Sequence, residues 1–140
     1  MSEQQNVQFV QSMYDAFSRG DIQKIVEHLA DDVEWSAEGP ASVAYFRNMR
    51  GPAEVQSKFF GGIARTQEEM KLTMTDFVAQ GDRVATFGRY SARVKATGKR
   101  FDAPLAHLFV IRDGKVKRFV NLGDTAAVEA AYGGAAAAAR

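Results

Sequence analysis

Three polar residues near the end of the chain have the chemistry that a reaction needs: His107, Asn121 and Asp124. A neutral histidine can transfer protons near pH 7, a carboxylate can act as general acid or base, and an amide can hold an oxygen. Each residue also fits a structural role. Asp124 precedes Thr-Ala-Ala-Val as helix N-caps do, His107 suits a core or subunit interface, and Asn121 suits an internal network.

The three residues belong to a predicted β-hairpin followed by a helix. Two apolar, β-branched and aromatic runs flank Asp113–Gly114, a pair typical of a type I′ turn. The second run ends at Asp124, where a helix is expected to begin. Strand alternation puts Asn121 on the face of Phe119.

The first half of the chain predicts three helices and one short strand. Apolar spacing indicates a helix over 4–19, and a second begins at Asp21 with Leu29 on its buried face. Val33–Ser36 alternates like a strand. Residues 37–50 lack a period and predict a long loop of the kind that forms lids or rims. Pro52 is expected to begin the third helix.

Long strands dominate the second half. Residues 70–80 predict a strand with a bulge near Thr75–Asp76, because its apolar positions change phase there. Residues 83–97 predict another, with Phe87 and Arg89 on one face and a kink or close backbone approach at Gly88. Helices followed by antiparallel strands indicate an α+β fold, whose curled sheet would leave a pocket at its open end.

Composition restricts the function classes. The 140 residues predict one domain over 1–132, followed by an alanine-rich tail over 133–140. A net charge of +1 without a basic stripe argues against nucleic-acid binding, and the apolar runs are too short to span a membrane. The chain lacks cysteine and shows no His/Asp/Glu cluster with ligand spacing, so no metal or cofactor is expected. The N-terminus has no signal-peptide pattern, which predicts a cytoplasmic protein.

Four segments resemble the nuclear transport factor 2-like superfamily, a cone-shaped α+β fold, and within it the SnoaL-like polyketide cyclases and ketosteroid isomerase-like proteins. They are listed here in chain order: Phe17-Ser-Arg-Gly-Asp21, Leu29-Ala-Asp-Asp-Val-Glu-Trp35, Arg50-Gly-Pro-Ala-Glu-Val55, and Arg112-Asp-Gly-Lys-Val116 with Asp124-Thr-Ala-Ala-Val128. The resemblance implies a curved antiparallel sheet wrapped around three N-terminal helices. Because this fold hosts enzymes and non-enzymes, it does not fix an activity.

The two branches make different demands on the site. A steroid isomerase needs an Asp base and an oxyanion hole of Tyr and protonated Asp. The corresponding positions fall at Ser36, Met13 and Ala106, so that triad is expected to be absent. The cyclases use an acidic residue at the end of the last strand, where Asp124 stands. A histidine that some of them carry is replaced here by Phe119.

The resulting prediction is a small, largely apolar ligand, cyclic or polyketide-like, bound in the cone. Asp124 or His107 would move a proton if the protein is an isomerase or cyclase. The expected ligand-binding residues are Tyr14, Trp35, Phe59, Phe87, Arg89 and Asn121, with an ion pair to a surface acid as the other role for Arg89. A non-catalytic binding or protein-interaction module is the alternative. The resemblance also implies a homodimer through the outer sheet face, on which Val84 and Tyr90 or their alternates are expected.

Overall fold

Two helices begin the chain, and each has a side chain that caps its N-terminus. The computed structural model describes residues 1–134, so 135–140 of the predicted tail lie outside the described residues. Helix α1 spans Glu3–Ser18 and starts with a capping box formed by Ser2 and Gln5. Helix α2 spans Ile22–Glu27, and the Asp21 side chain accepts a hydrogen bond from the Lys24 backbone N–H.

The third predicted helix consists of three consecutive segments. It is α-helical over Pro52–Glu54 (α3), π-helical over Val55–Phe60 and α-helical over Gly61–Thr66 (α4). Proline stands at the start, as expected. The π-helical segment is not predicted by the sequence. It carries two consecutive buried side chains, Phe59 and Phe60, and such segments often occur at functional sites.

Six strands form one curved, unclosed sheet of order β2-β1-β6-β5-β4-β3, which confirms the predicted α+β cone. The pair β1–β6 is parallel and the other pairs are antiparallel. The strands are β1 Leu29–Ala37, β2 Asn48–Arg50, β3 Gln67–Gln80, β4 Arg83–Val94, β5 Arg100–Arg112 and β6 Lys115–Gly123, and helix α5 spans Thr125–Ala131.

Two local predictions are confirmed. Asp113 and Gly114 both have positive φ (53° and 72°), as a type I′ turn requires. The β3–β4 register shifts between Met74 and Asp76, which is the expected bulge. Opposite it, a Cβ on Gly88 would lie 2.0 Å from the Thr73 carbonyl oxygen, so the two backbones approach too closely for any side chain.

Two segments in the first half of the chain also differ from the sequence prediction. Leu29 begins β1 instead of lying on the second helix, because that helix ends two residues earlier at Glu27. The predicted loop over 37–50 contains the short strand β2, and its middle packs into the core: Val43, Tyr45 and Phe46 are all buried. These apolar side chains hold an irregular segment against the core, so their spacing follows neither the helical nor the strand period.

The expectation that Phe87 and Arg89 face the site is wrong, and of the two faces of β4 considered for the outer surface, the one opposite to Val84 and Tyr90 lies outside. Val84 is fully buried and Tyr90 lies on the concave side, whereas Phe87 and Arg89 point outward. Alternation along a strand separates two faces without telling which one the helices cover. Here the helices cover the Val84 side, where Thr86 bonds to Tyr14 of α1.

Candidate functional site

A cavity of about 100 Å³ lies inside the cone between the helices and the concave side of the sheet. An engineered cavity of ~150 Å³ accommodates benzene, so a one-ring ligand would fill this cavity and extend into its open end. Pro104, Gly123 and Asp124 line one end and are solvent-exposed, which makes that end the mouth. The rest of the lining is mostly aromatic and aliphatic: Met13, Tyr14, Phe17, Ile25, Trp35, Tyr45, Phe46, Phe59, Phe60, Ile63, Leu72, Tyr90, Phe101, Ala103, Leu105, His107, Phe109, Phe119, Asn121, Thr125 and Val128.

A row of three polar side chains crosses three neighbouring strands. Thr86 on β4 is paired with His107 on β5, which is paired with Asn121 on β6. A hairpin without a bulge would place Ala106, not His107, opposite Asn121. The β5–β6 register shifts between Val110 and Ile111, and this shift brings His107 opposite Asn121.

Tyr14 from α1 completes the row with short hydrogen bonds. Its hydroxyl lies 2.6 Å from Thr86 Oγ1 and 2.7 Å from His107 Nδ1. The other ring nitrogen of the histidine, Nε2, lies 2.9 Å from Asn121 Oδ1. Both histidine nitrogens are therefore occupied. We call these four residues the Thr86–Asn121 chain.

Burial keeps this chain uncharged at neutral pH. Loss of solvent lowers the pKa of His107 to about 4, although its hydrogen bond to Asn121 acts in the opposite direction. Burial also raises the pKa of the Tyr14 hydroxyl far above its usual range, with the Thr86 hydrogen bond opposing it. The cavity wall here consists of neutral hydrogen-bonding groups.

A second polar cluster surrounds Gln67 and was missed by the sequence analysis. The Gln67 amide donates to the hydroxyls of Tyr45 (3.1 Å) and Tyr132 (2.8 Å), and its carbonyl oxygen accepts from Tyr90. Burial raises the pKa of all three tyrosines. Tyr90 and Thr86 are four residues apart on β4, so the two clusters lie ~13 Å apart along the sheet. These residues are too far apart in the chain for spacing to reveal them.

The apolar wall between the clusters is built from stacked rings. Trp35 on β1 stacks on Phe119 of β6 with ring centroids 3.9 Å apart. Phe59 and Phe60 of the π-helical segment meet Trp35 edge-on at 5.2 and 5.7 Å. His107 lies 4.8 Å from Phe119, which joins the polar row to the aromatic wall.

Asp124 stands at the mouth and caps α5. Its Oδ1 accepts a hydrogen bond from the Ala127 backbone N–H at 3.1 Å, so the expected cap forms. Its second oxygen, Oδ2, has no hydrogen-bond partner among residues 1–134. Because the side chain is exposed and lines the cavity, Oδ2 can accept a proton from a bound molecule.

The structure brings together six of the eight residues expected at the site. Tyr14, Trp35, Phe59, His107, Asn121 and Asp124 all line the cavity. Phe87 and Arg89 do not. Phe87 is 47% exposed on the convex side, and Arg89 pairs there with Asp102 at 3.0 Å. Their expected place in the site is wrong because β4 presents its other face to the cavity.

Neither a metal site nor a membrane span is found in residues 1–134. That part of the chain has no group of three or more His, Cys, Asp or Glu side chains able to hold an ion. None of its helices is both long and apolar enough to cross a membrane.

Comparison with known proteins places this architecture in a family. The SnoaL-like domain model matches residues 10–119, so the chain belongs to the SnoaL-like family. None of the curated proteins matches the chain.

Solved structures agree with this family on the fold. An NTF2-like protein from Burkholderia thailandensis is similar at 26% identity and TM-score 0.83, and one from Burkholderia xenovorans at 30% and 0.79. Both alignments cover 94% of this chain and 98% of the other. TerC, crystallised with polyporic acid, is similar at 26% identity and TM-score 0.79, over 91% of this chain and 98% of its own.

Proposed function

We propose that this protein binds a small, largely apolar molecule, cyclic or polyketide-like, in the cone cavity. The observation that carries the proposal is the cavity itself, whose wall of stacked rings encloses about 100 Å³ and opens at Asp124. Apolar pockets with a few convergent polar groups are the usual form of small-molecule sites. TerC, which has a similar fold, was crystallised with polyporic acid, and this supports a small-molecule ligand here.

The proposal extends to cofactor-independent proton transfer, as in an isomerase or cyclase. Asp124 Oδ2 would take a proton from a carbon next to a carbonyl group, breaking the C–H bond and leaving an enolate. Returning that proton to another carbon gives an isomer. Attack of the enolate carbon on a second carbonyl, with the proton delivered to the new alkoxide, closes a ring. Asp124 is suited to this because it lies at the mouth and one of its oxygens has no hydrogen-bond partner within residues 1–134.

Replacing Asp124 by asparagine tests this step without removing the helix cap. Asparagine caps a helix as well as aspartate does. The free energy of unfolding of D124N is therefore expected to lie within a few tenths of a kcal/mol of the wild-type value. It cannot accept the proton, so exchange of the α-protons of 2-indanone in D₂O, followed by ¹H NMR, should slow ~100-fold or more. D124A is the matched variant, which should lose both the exchange and ~1 kcal/mol of stability. Wild-type exchange no faster than in buffer would contradict the catalytic proposal.

A non-catalytic binding protein of the same fold is the second candidate. It is favoured by His107, whose two nitrogens are both occupied and whose pKa is lowered to about 4 by burial. In this alternative the protein binds the same ligand and catalyses no reaction. Saturable binding of 2-indanone without any exchange would select it.

We further propose that the protein is cytoplasmic and forms a two-fold homodimer through the convex sheet face. Phe87 on β4, Ala106 on β5 and Leu122 on β6 are paired across that face. Phe87 and Leu122 are 47% and 60% exposed. Continuous exposed apolar surface of this kind is typical of an interface, and a second copy covers it symmetrically. Cell fractionation tests the location.

A further inference from the structure

The placement of the Asn121 amide sets the direction of the hydrogen bonds in the Thr86–Asn121 chain. With Asn121 Oδ1 facing His107 Nε2 at 2.9 Å, the proton of the neutral ring is on Nε2. Nδ1 is then an acceptor, so the Tyr14 hydroxyl donates to it at 2.7 Å. The Tyr14 oxygen in turn accepts from the Thr86 hydroxyl at 2.6 Å. The donors point from Thr86 toward Asn121.

With the donors in this direction, the last donor of the Thr86–Asn121 chain is the Asn121 amide nitrogen. Asn121 Nδ2 has no hydrogen-bond partner within residues 1–134, and Asn121 is half-buried in the cavity wall. A flip of the amide would require the ring proton to move to Nδ1 and the hydroxyls of Tyr14 and Thr86 to turn as well. The Asn121 amide is thus held with its oxygen toward the histidine and its two N–H bonds available.

The charges of the cavity wall restrict which kind of acceptor the Asn121 amide can bind. Among the described residues that line the cavity, none is Lys or Arg, and Asp124 at the mouth would repel an anion. His107 and Tyr14 are neutral. A buried anion without a cationic partner is strongly disfavoured. The acceptor that fits is the oxygen of an uncharged ligand.

We propose that Asn121 Nδ2 recognises the carbonyl oxygen of a neutral cyclic or aromatic ketone, or a quinone. In this proposal His107 is a positioning residue that holds the Asn121 amide with its N–H groups toward the ligand. Tyr14 and Thr86 fix the tautomer of His107. The inference rests on the proposed ligand-binding function, and it names the ligand class and the group that selects it.

The His107 tautomer is the first test, and it needs no ligand. Long-range ¹H–¹⁵N correlation spectra of the uniformly labelled protein distinguish a ring protonated at Nε2 from one protonated at Nδ1. At pH 7 we expect the Nε2–H form in the wild type and in Thr86→Val, and a mixture of the two forms in Tyr14→Phe. The Nδ1–H form in the wild type would overturn the proposal, because the Asn121 amide would then donate to the ring.

A matched pair of probes gives the second test. Acetophenone and α-methylstyrene have nearly the same shape, but only acetophenone carries an acceptor oxygen. Titrations followed by ¹H–¹⁵N spectra give the Kd of each probe. The ratio of the two Kd values is calculated for each protein and then compared between proteins. The difference in hydrophobicity between the two probes cancels in this comparison. One net hydrogen bond predicts that Asn121→Leu lowers the relative affinity for acetophenone ~10-fold. Tyr14→Phe should lower it less.

The outcomes separate this inference from the function on which it rests. If both probes bind and Asn121→Leu leaves their ratio unchanged, the cavity binds ligands and oxygen recognition by Asn121 is overturned. If neither probe binds the wild type, the ligand-binding function fails. If Asn121→Leu does not fold, Asn121→Asp provides the same comparison, since its carboxylate repels a carbonyl oxygen and should also lower the ratio.

Discussion

At the scale of single residues, His107 is buried and both of its ring nitrogens are occupied. It is held by Tyr14 on one side and Asn121 on the other, and it contacts the Phe119 ring. These contacts suit the neutral imidazole, because a second ring proton at Nδ1 would point at the Tyr14 O–H donor unless that hydroxyl turned to accept it. The cost of charging the ring makes folding sensitive to acid.

We expect the stability of the protein to fall as the pH drops from about 6.5 to about 4. The unfolded chain binds a proton at His107 near pH 6.5, whereas in the folded chain burial lowers the pKa to about 4. Above pH 6.5 neither state is protonated, so the contribution is fully present there. Between the two values it is lost at up to ~1.4 kcal/mol per pH unit. Urea unfolding at a series of pH values measures this.

His107→Gln is the variant for this prediction, because glutamine cannot be protonated. Its stability should change less between pH 6.5 and pH 4 than that of the wild type. His28→Gln is the matched control, since it makes the same replacement at the other histidine, which does not line the cavity. Equal slopes for wild type and His107→Gln would show that another group controls the acid response.

At the scale of elements, the curvature of the sheet depends on the contact between the β3 bulge and Gly88. The register shifts between Met74 and Asp76 just where Gly88 passes beneath the Thr73 carbonyl. A bulge bends its strand and increases the local twist. The bend lets the long strands curl around the cavity.

A methyl group at position 88 should therefore be costly. In Gly88→Ala the new Cβ would lie 2.0 Å from the Thr73 carbonyl oxygen and 2.7 Å from Met74 Cα, and backbone atoms cannot move aside as a flexible side chain can. We expect a loss of about 2 kcal/mol or more in the free energy of unfolding, measured by urea denaturation. Thr73→Ala should stay within about 0.5 kcal/mol, because it leaves the carbonyl in place. A Gly88→Ala protein as stable as wild type would contradict this account.

The same elements show which features of the fold could be predicted from the sequence. The Asp113–Gly114 turn, the bulge and Gly88 were predictable because each has a local signature in residue type or phase. The meeting of His107 with Asn121 was not, because it depends on a register shift near Val110 in a hairpin whose turn alone predicts a different pairing. The choice of face on β4 required knowing which side the helices cover.

The cluster around Gln67 marks a further limit of sequence reasoning. Tyr45 comes from the segment before β2, Tyr90 from β4 and Tyr132 from the end of α5, and they meet only because the whole cone closes. Six of the eight expected site residues nevertheless line the cavity, since aromatic and polar residues on concave faces repeat with the period of their elements.

At the scale of the whole molecule, the cone has an inner surface that encloses a cavity and a convex surface with an exposed apolar row. Phe87, Ala106 and Leu122 form that row, and Ala85, Leu108 and Val120 form the next. Together they make a continuous patch on adjacent strands. A stable interface buries ~800 Å² per partner, so the dimer would need to cover both rows.

Sedimentation velocity tests the proposed homodimer. We expect a dimer for the wild type at tens of micromolar, and a shift toward monomer for Phe87→Glu, which places a charge in the centre of the patch. Thr73→Glu is the matched control, because Thr73 is exposed on the same face of β3 beyond the two apolar rows. A monomeric wild type would refute the dimer without affecting the cavity.

Binding of toluene inside the cone is the measurement that tests the ligand-binding proposal most directly. Toluene has no oxygen, so it reports on the cavity alone. Ala103 is buried and lines the cavity, and Ala103→Phe should fill it, whereas Thr73→Phe adds the same ring on the convex side. We predict saturable shifts at cavity residues in ¹H–¹⁵N spectra, and a Tm that rises with toluene concentration, for the wild type and Thr73→Phe but not for Ala103→Phe. No binding to the wild type, or equal binding to folded Ala103→Phe, would contradict the proposal.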